Sequence, residues 1–252
     1  MRKLLALLIS LVLLSSSALA EGGLQVTGEL AGEVCLPEGS SADNARYIYR
    51  YSYPRVEENS EAAGMVNEFY TYAVEDAMNF AIPMTYETLS EGDVQSYTDI
   101  ASQVMCNNAD YFSVLVVSER FIGAETSQIW AGHTFALTGG KAGQPISLPY
   151  LLGMLDPKEN DTWMQDRATA KADQLVYDLV WSVIEEQQAE GTVAYYETLT
   201  REELENQFYP EEDFYLNENG DPVFYIQASY VASSAEGVLT YPFTVEELLD
   251  EL

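Results

Sequence analysis

Histidine occurs once in this chain, at His133, and cysteine twice, at Cys35 and Cys106. A nucleophilic site would need His133 beside Cys106 or an activated serine, yet no Gly-x-Ser-x-Gly turn or other nucleophile motif is present. Zinc is served no better. One histidine and two distant cysteines supply neither His-Glu-x-x-His nor Cys-x-x-Cys spacing. The run Asn217-Glu218-Asn219-Gly220-Asp221 has the look of a calcium loop, but Tyr215 stands where the first oxygen ligand belongs and the twelfth-position glutamate is missing. It reads as a hairpin turn. Carboxylates number 41, so many that spacing singles out no acid–base pair. The sequence therefore assigns no catalytic, cofactor-binding or metal residue. His133 alternates with Ile129, Ala131, Phe135 and Leu137 on one face of an expected strand and reads as structural.

Charge is the more informative chemistry. Against the 41 acids stand 11 Lys and Arg, giving a net charge of −30. Such a surface repels nucleic-acid phosphates and anionic lipid and attracts cationic proteins or peptides. Residues 185–221 hold twelve acids and one base, Arg201. Within them Glu202, Glu203, Glu205, Glu211, Glu212 and Asp213 form a candidate docking face for a cationic partner, and equally a solvated surface. Complementary charge of this kind raises the association rate and weakens with salt.

The first twenty residues have the form of a secretion signal: Arg2 and Lys3 precede an apolar run over 4–14, and Ala18-Leu19-Ala20 supplies the small-x-small cleavage pattern. Cleavage after Ala20 would leave roughly 230 residues outside the cytoplasmic membrane, enough for a substantial core. The apolar run is shorter than the ~20 residues that span a bilayer, and Glu21 stands where a lipid anchor would need cysteine. In an oxidising compartment Cys35 and Cys106 could form a disulfide closing a loop of about 70 residues, worth ~4 kcal/mol by chain entropy. Two separate buried thiols are the alternative.

These residues must be placed by a mixture of strands and helices. Residues 46–53 alternate large side chains before Pro54 and predict a strand. The three- and four-residue spacing of Met65 or Val66, Phe69, Ala73, Ala77 and Phe80 predicts an amphipathic helix over 60–82, ended by Pro83. Two β-branched and aromatic runs, 111–121 and 129–137, predict a long hairpin at the centre of the sheet, followed by a short run at 145–148. A second long helix is expected over 161–188, with Ala172, Leu175, Val176, Leu179 and Val183 inward and Gly191 as its stop. Thr200 and Glu203 form a capping box, as do Thr244 and Glu247. Asn219-Gly220 marks a closing hairpin between 214–216 and 223–230, and 238–243 supplies a last strand. The order predicts an α+β domain: an antiparallel meander packed against two long helices, with a closing β-hairpin and no parallel βαβ array. Residues 21–45 form an N-terminal extension and first strand, and 46–252 one domain.

Several local motifs, in their order, resemble the domain of unknown function 3298 family together with its companion, the domain of unknown function 4163 region. Tyr53-Pro54, the helix at Val66-Asn67 and Tyr111-Phe112-Ser113-Val114 resemble the companion region, here 46–125. Phe135 through Lys141, Ile146-Ser147-Leu148, Tyr150-Leu151-Leu152, the hairpin at 214–226 and the last strand at 237–243 resemble the closing region, 126–252. The family carries a Gly-Gly-Ala-His type motif between the hairpin strands, and the resemblance implies a candidate partner-binding loop at the matching place, where this chain departs from that motif and reads Ile122, Gly123, Ala124, Glu125 and Thr126. Members form the extracytoplasmic part of a lysozyme-sensing anti-sigma factor and an accessory part of secreted peptidoglycan deacetylases. The resemblance implies a secreted, non-enzymatic binding domain at the bacterial cell envelope, with a cationic protein such as lysozyme or a cell-wall ligand as partner and no cofactor. The alternative is a cell-wall glycan-processing enzyme or its carbohydrate-binding module.

Overall fold

The computed structural model describes residues 22–90, 92, 94–123, 125–156 and 161–252. The signal segment 1–20 and Ala124 of the connector lie outside them. Five strands, β1 (Val26–Leu36), β2 (Tyr47–Val56), β3 (Ser96–Asn107), β4 (Tyr111–Ile122) and β5 (Glu125–Ala136), form one sheet in sequence order. Three short strands, β6 (Phe214–Leu216), β7 (Pro222–Ile226) and β8 (Leu239–Pro242), form a second. The fold is α+β.

The central strand shows how sequence becomes layers. Phe112, Val114 and Val116 of β4 pack with Val66, Tyr70 and Val74 of helix α1 (Glu61–Asp76). Leu115, on the opposite face, packs with Tyr215, Val223 and Tyr225 of the small sheet. Successive strand residues point to opposite faces, so an unbroken run of buried residues from 112 to 116 means that both faces are covered. The small sheet is covered twice as well: Phe214, Leu216, Phe224 and Ile226 turn outward onto Ala172, Val176, Val180 and Ile184 of the long helix α4 (Thr162–Glu190). The order of layers is α1, large sheet, small sheet, α4. Ser113 stitches the two sheets inside this stack: its Oγ lies 2.8 Å from Thr134 Oγ1 and accepts the Leu216 N–H at 2.9 Å.

Helix ends follow the local signals. Asp161 caps α4 by accepting the Trp163 N–H, and Gly191 closes it in the left-handed region at φ 68°. Both capping boxes form, at the starts of α5 (Arg201–Gln207) and α6 (Val245–Asp250). The inward stripes are rotated by about one position from expectation. In α1 it is Val66, Tyr70 and Val74, leaving Phe80 exposed, and in α4 Val180 and Ile184 are buried while Leu175, Leu179 and Val183 sit at the margin.

Four expectations are corrected. The sheet is mixed, because β2 pairs parallel with β3, Tyr47 opposite Ser96 through Tyr51 opposite Ile100, with the helices lying in the crossover between them. Arg50 spans this arrangement, reaching Glu33 on β1 at 2.7 Å and Asp99 on β3 at 3.1 Å. Pro83 does not end the first helix. A π-helical turn (Ala77–Ala81), in which the Ile82 N–H bonds Ala77 O, precedes it, and Pro83 enters the first turn of α2 (Ile82–Thr88), where its missing N–H costs no hydrogen bond. Residues 145–148 make one bridge, Phe135 to Pro145, and lead into the helical turn α3 (Leu148–Leu151) rather than a strand. Finally, Cys35 and Cys106 are both free thiols. Cys35 pairs with Ile48, which pairs with Tyr97, and Cys106 lies nine residues further along that strand. At ~3.3 Å per residue this separation is about 30 Å, far beyond the ~7 Å between Cα atoms that a disulfide bridges. Cys106 is buried instead, which pushes its thiol up to about 11.

Candidate functional site

Strand β5 is the edge of the large sheet, paired along its length with β4 and on its other side only through the single bridge from Phe135 to Pro145. Beside it lies a crevice of about 470 Å³, walled by β5 from Trp130 to Thr134, by Pro145, Ile146 and Ser147, and by the segment leading into β6. That segment supplies Glu211, Glu212 and Asp213.

The acidic wall is anchored locally. Phe208 and Pro210 are buried, and the Tyr209 carbonyl accepts the N–H groups of Glu212 and Asp213 at 3.0 and 2.7 Å. Asp213 Oδ2 accepts the Tyr209 N–H at 2.9 Å, closing the turn. Burial pushes the Asp213 carboxyl up to about 6, against the Tyr209 N–H that favours its charge and with the carboxylates of Glu211 and Glu212 adding to the rise. Behind this wall, Asp173 of α4 lies against the backbone and the carboxyl of Glu211. Asp173 is raised to about 7, by burial first and by the neighbouring carboxylate second. Asp173 Oδ1 and Glu211 Oε2 are buried with no ordinary donor facing them, the arrangement of two acids holding one proton.

Backbone and aromatic groups line the crevice as well. The Gln227 side-chain amide accepts the Trp130 N–H at 3.0 Å and donates to the Trp130 carbonyl at 2.8 Å, as a neighbouring strand would. Tyr225 OH accepts the Gly132 N–H at 2.8 Å, and its ring meets Trp130 edge-on at 5.9 Å. Gly132 is a steric requirement: a Cβ there would overlap the Phe214 carbonyl oxygen and lie 2.6 Å from its carbon. The two sheets touch backbone to backbone at this point.

The six acids named from the sequence divide. Glu211, Glu212 and Asp213 reach the crevice. Glu202 and Glu203 are exposed on α5, where Glu203 accepts in the capping box, and Glu205 pairs with Arg201 at 2.7 Å. Arg201, the one base of that stretch, is committed to structure, reaching Asp178 at 2.9 Å and lying over the Tyr177 ring at 5.5 Å. The expected partner-binding loop is not a loop. Ile122 pairs with Glu125 and Phe121 with Thr126 in the ladder, and Gly123, at φ 67°, turns the chain. That tip lies seven residues along β5 from Trp130, about 23 Å from the crevice. His133 contributes backbone to the crevice, but its ring turns to the other face, meeting Phe69 edge-on at 5.0 Å and Tyr70 at 5.8 Å. Burial lowers it to about 4. Among the described residues no group of three His, Cys, Asp or Glu is placed to hold a metal ion, and no helix is long and apolar enough to cross a membrane.

Solved structures supply the comparison. A DUF3298 family protein from Pseudomonas aeruginosa superposes with a TM-score of 0.51 at 12% identity, over 90% of this chain and 93% of its own. The chain has the DUF3298 fold. A second member, from Bacteroides fragilis, aligns at a TM-score of 0.44 and 15% identity, over 89% of this chain and 94% of its own. No family model and no curated protein matches the sequence. The expected likeness to this family thus holds at the level of the fold.

Sequence reasoning missed Asp173, Tyr225, Gln227 and Gly132. Gly132 carried a signal, since a glycine inside a strand pattern marks a close backbone approach. The other three sit in segments whose spacing points only to a helix and a strand.

Proposed function

We propose that the protein is an exported, non-enzymatic binding domain acting at the bacterial cell envelope, and that its crevice receives a positively charged region of a partner protein. The observation that carries this reading is that Glu211, Glu212 and Asp213 line one crevice of about 470 Å³ together with Trp130 and Tyr225. Ligand sites of this size, about 300–1,000 Å³, combine aromatic surface with a few placed polar groups. The net charge of −30 supports long-range attraction of a cationic partner. The resemblance to lysozyme-sensing proteins makes basic lysozyme the first partner to try.

Immobilised protein exposed to basic lysozyme at low and moderate salt tests the proposal. Binding that weakens with salt, and weakens several-fold in Glu212→Gln, is the expected outcome. Absence of binding at both salt concentrations removes lysozyme-like proteins as partners. A second reading, glycan processing, draws on the raised Asp213 carboxyl beside an aromatic wall; release of sugars or acetate from peptidoglycan by the purified protein would favour it.

A further inference from the structure

The edge of β5 presents two backbone groups to the crevice that the fold leaves without a partner. In the β4–β5 ladder the odd-numbered residues of β5 turn their N–H and C=O groups toward β4, as the continuing bond from the Leu137 N–H to Asp110 O shows. The even-numbered residues turn outward. Along this outer edge the protein supplies substitutes for a missing neighbour. Gln227 takes both groups of Trp130, and Tyr225 OH takes the Gly132 N–H. Further along, Ile146 N–H donates to Thr134 O at 2.8 Å, and Ala136 is bonded by Gln144 O and the Gly143 N–H at 3.2 and 2.7 Å. Between these substitutes, the Gly132 C=O and the Thr134 N–H have no hydrogen-bond partner among the described residues. They flank His133, point to the same side and border the crevice.

We propose that this gap binds an extended peptide segment as a short added strand, with a lysine or arginine side chain set against Glu212 and Asp213. The inference rests on the binding function proposed above and specifies its ligand as a basic stretch of extended polypeptide. One acceptor and one donor on successive outward-facing residues of a strand match the N–H and C=O that a single peptide edge offers. In strand addition, main-chain bonds supply affinity while neighbouring side-chain positions supply selectivity. Here the selectivity is for positive charge, because Glu212 is exposed at the mouth and Asp213 lines the wall. Gln227 and Ile146 bound the gap at its two ends, so the added strand is limited to one or two paired residues.

Two labelled peptides test this: a decapeptide of alternating lysine and valine, and its counterpart with every backbone amide N-methylated, which keeps charge and side chains but has no main-chain donors. Fluorescence anisotropy with the full chain is expected to show saturable binding of the first peptide and at least tenfold weaker binding of the second. Binding of the first is also expected to slow hydrogen exchange at the Thr134 amide and to fall several-fold in Glu212→Gln. Equal affinity for both peptides with unchanged Thr134 exchange would mean attraction by charge alone and would overturn the proposal, as would no binding of either. Lysozyme binding that depends on Glu212, combined with failure of both peptides, would leave the proposed function standing and refute strand addition.

Discussion

Replacing Asp173 by asparagine isolates the contribution of the shared proton behind the crevice. Asp173 is raised from 3.8 to about 7, mainly by burial and then by Glu211, so between these values the folded protein holds a proton that the unfolded chain has released. Stability therefore falls as pH rises from about 4 to about 7 and is level above that, where both states are ionised. For a fully buried, isolated acid the whole span is worth about 4 kcal/mol. Asp173 is only half-buried, and solvent reduces this to about 2 kcal/mol. Asparagine keeps the shape and offers Glu211 an N–H that does not titrate. Urea unfolding of both proteins at pH 5, 6, 7 and 8, in constant salt to screen the net charge, covers about two-thirds of this span and should show wild type losing about 1.2 kcal/mol more than Asp173→Asn. Parallel pH profiles would refute the shared-proton reading, and so would an asparagine variant that is less stable at pH 8.

Gly132→Ala drives a Cβ into the Phe214 carbonyl; overpacking of this kind costs about 1–3 kcal/mol, and more where backbone opposes backbone. The expected result is a lowered urea midpoint together with changed Trp130 fluorescence. Thiol titration of denatured, unreduced protein should count two free thiols, and native protein should protect Cys106, which is buried with its thiol raised to about 11. A count of zero would show that the chain pairs them.

The parts of the fold legible in the sequence are those written locally. Gly123 between two β-rich runs, the Thr200 and Thr244 capping boxes and Gly191 each specify a turn or a helix end through neighbours a few residues away. The parallel pairing of Tyr47 with Ser96 was not legible, because alternation in 46–53 says which faces are buried and nothing about which strand lies alongside. The proline rule failed at Pro83 because the proline falls in the first turn of α2, after a π-helical turn, rather than inside a continuing α-helix. The disulfide expectation counted cysteines and compartment, while the register placed Cys35 and Cys106 at opposite ends of the sheet. The site was half legible. Its acids stand together at 211–213, but the rest of its lining depends on Gln227 and Tyr225 reaching an edge strand nearly a hundred residues earlier.

The contact between Gly132 and Phe214 has a consequence for recognition. Side chains can change rotamer and let a cleft widen or narrow, whereas two main chains in van der Waals contact cannot slide without breaking their own ladders. With Ser113 holding Leu216 and Thr134 at the same junction, the distance between the two sheets is fixed before anything arrives. A visiting segment then bears its own ordering entropy and none of the host's, and a loss of fit at this junction would appear first as faster dissociation.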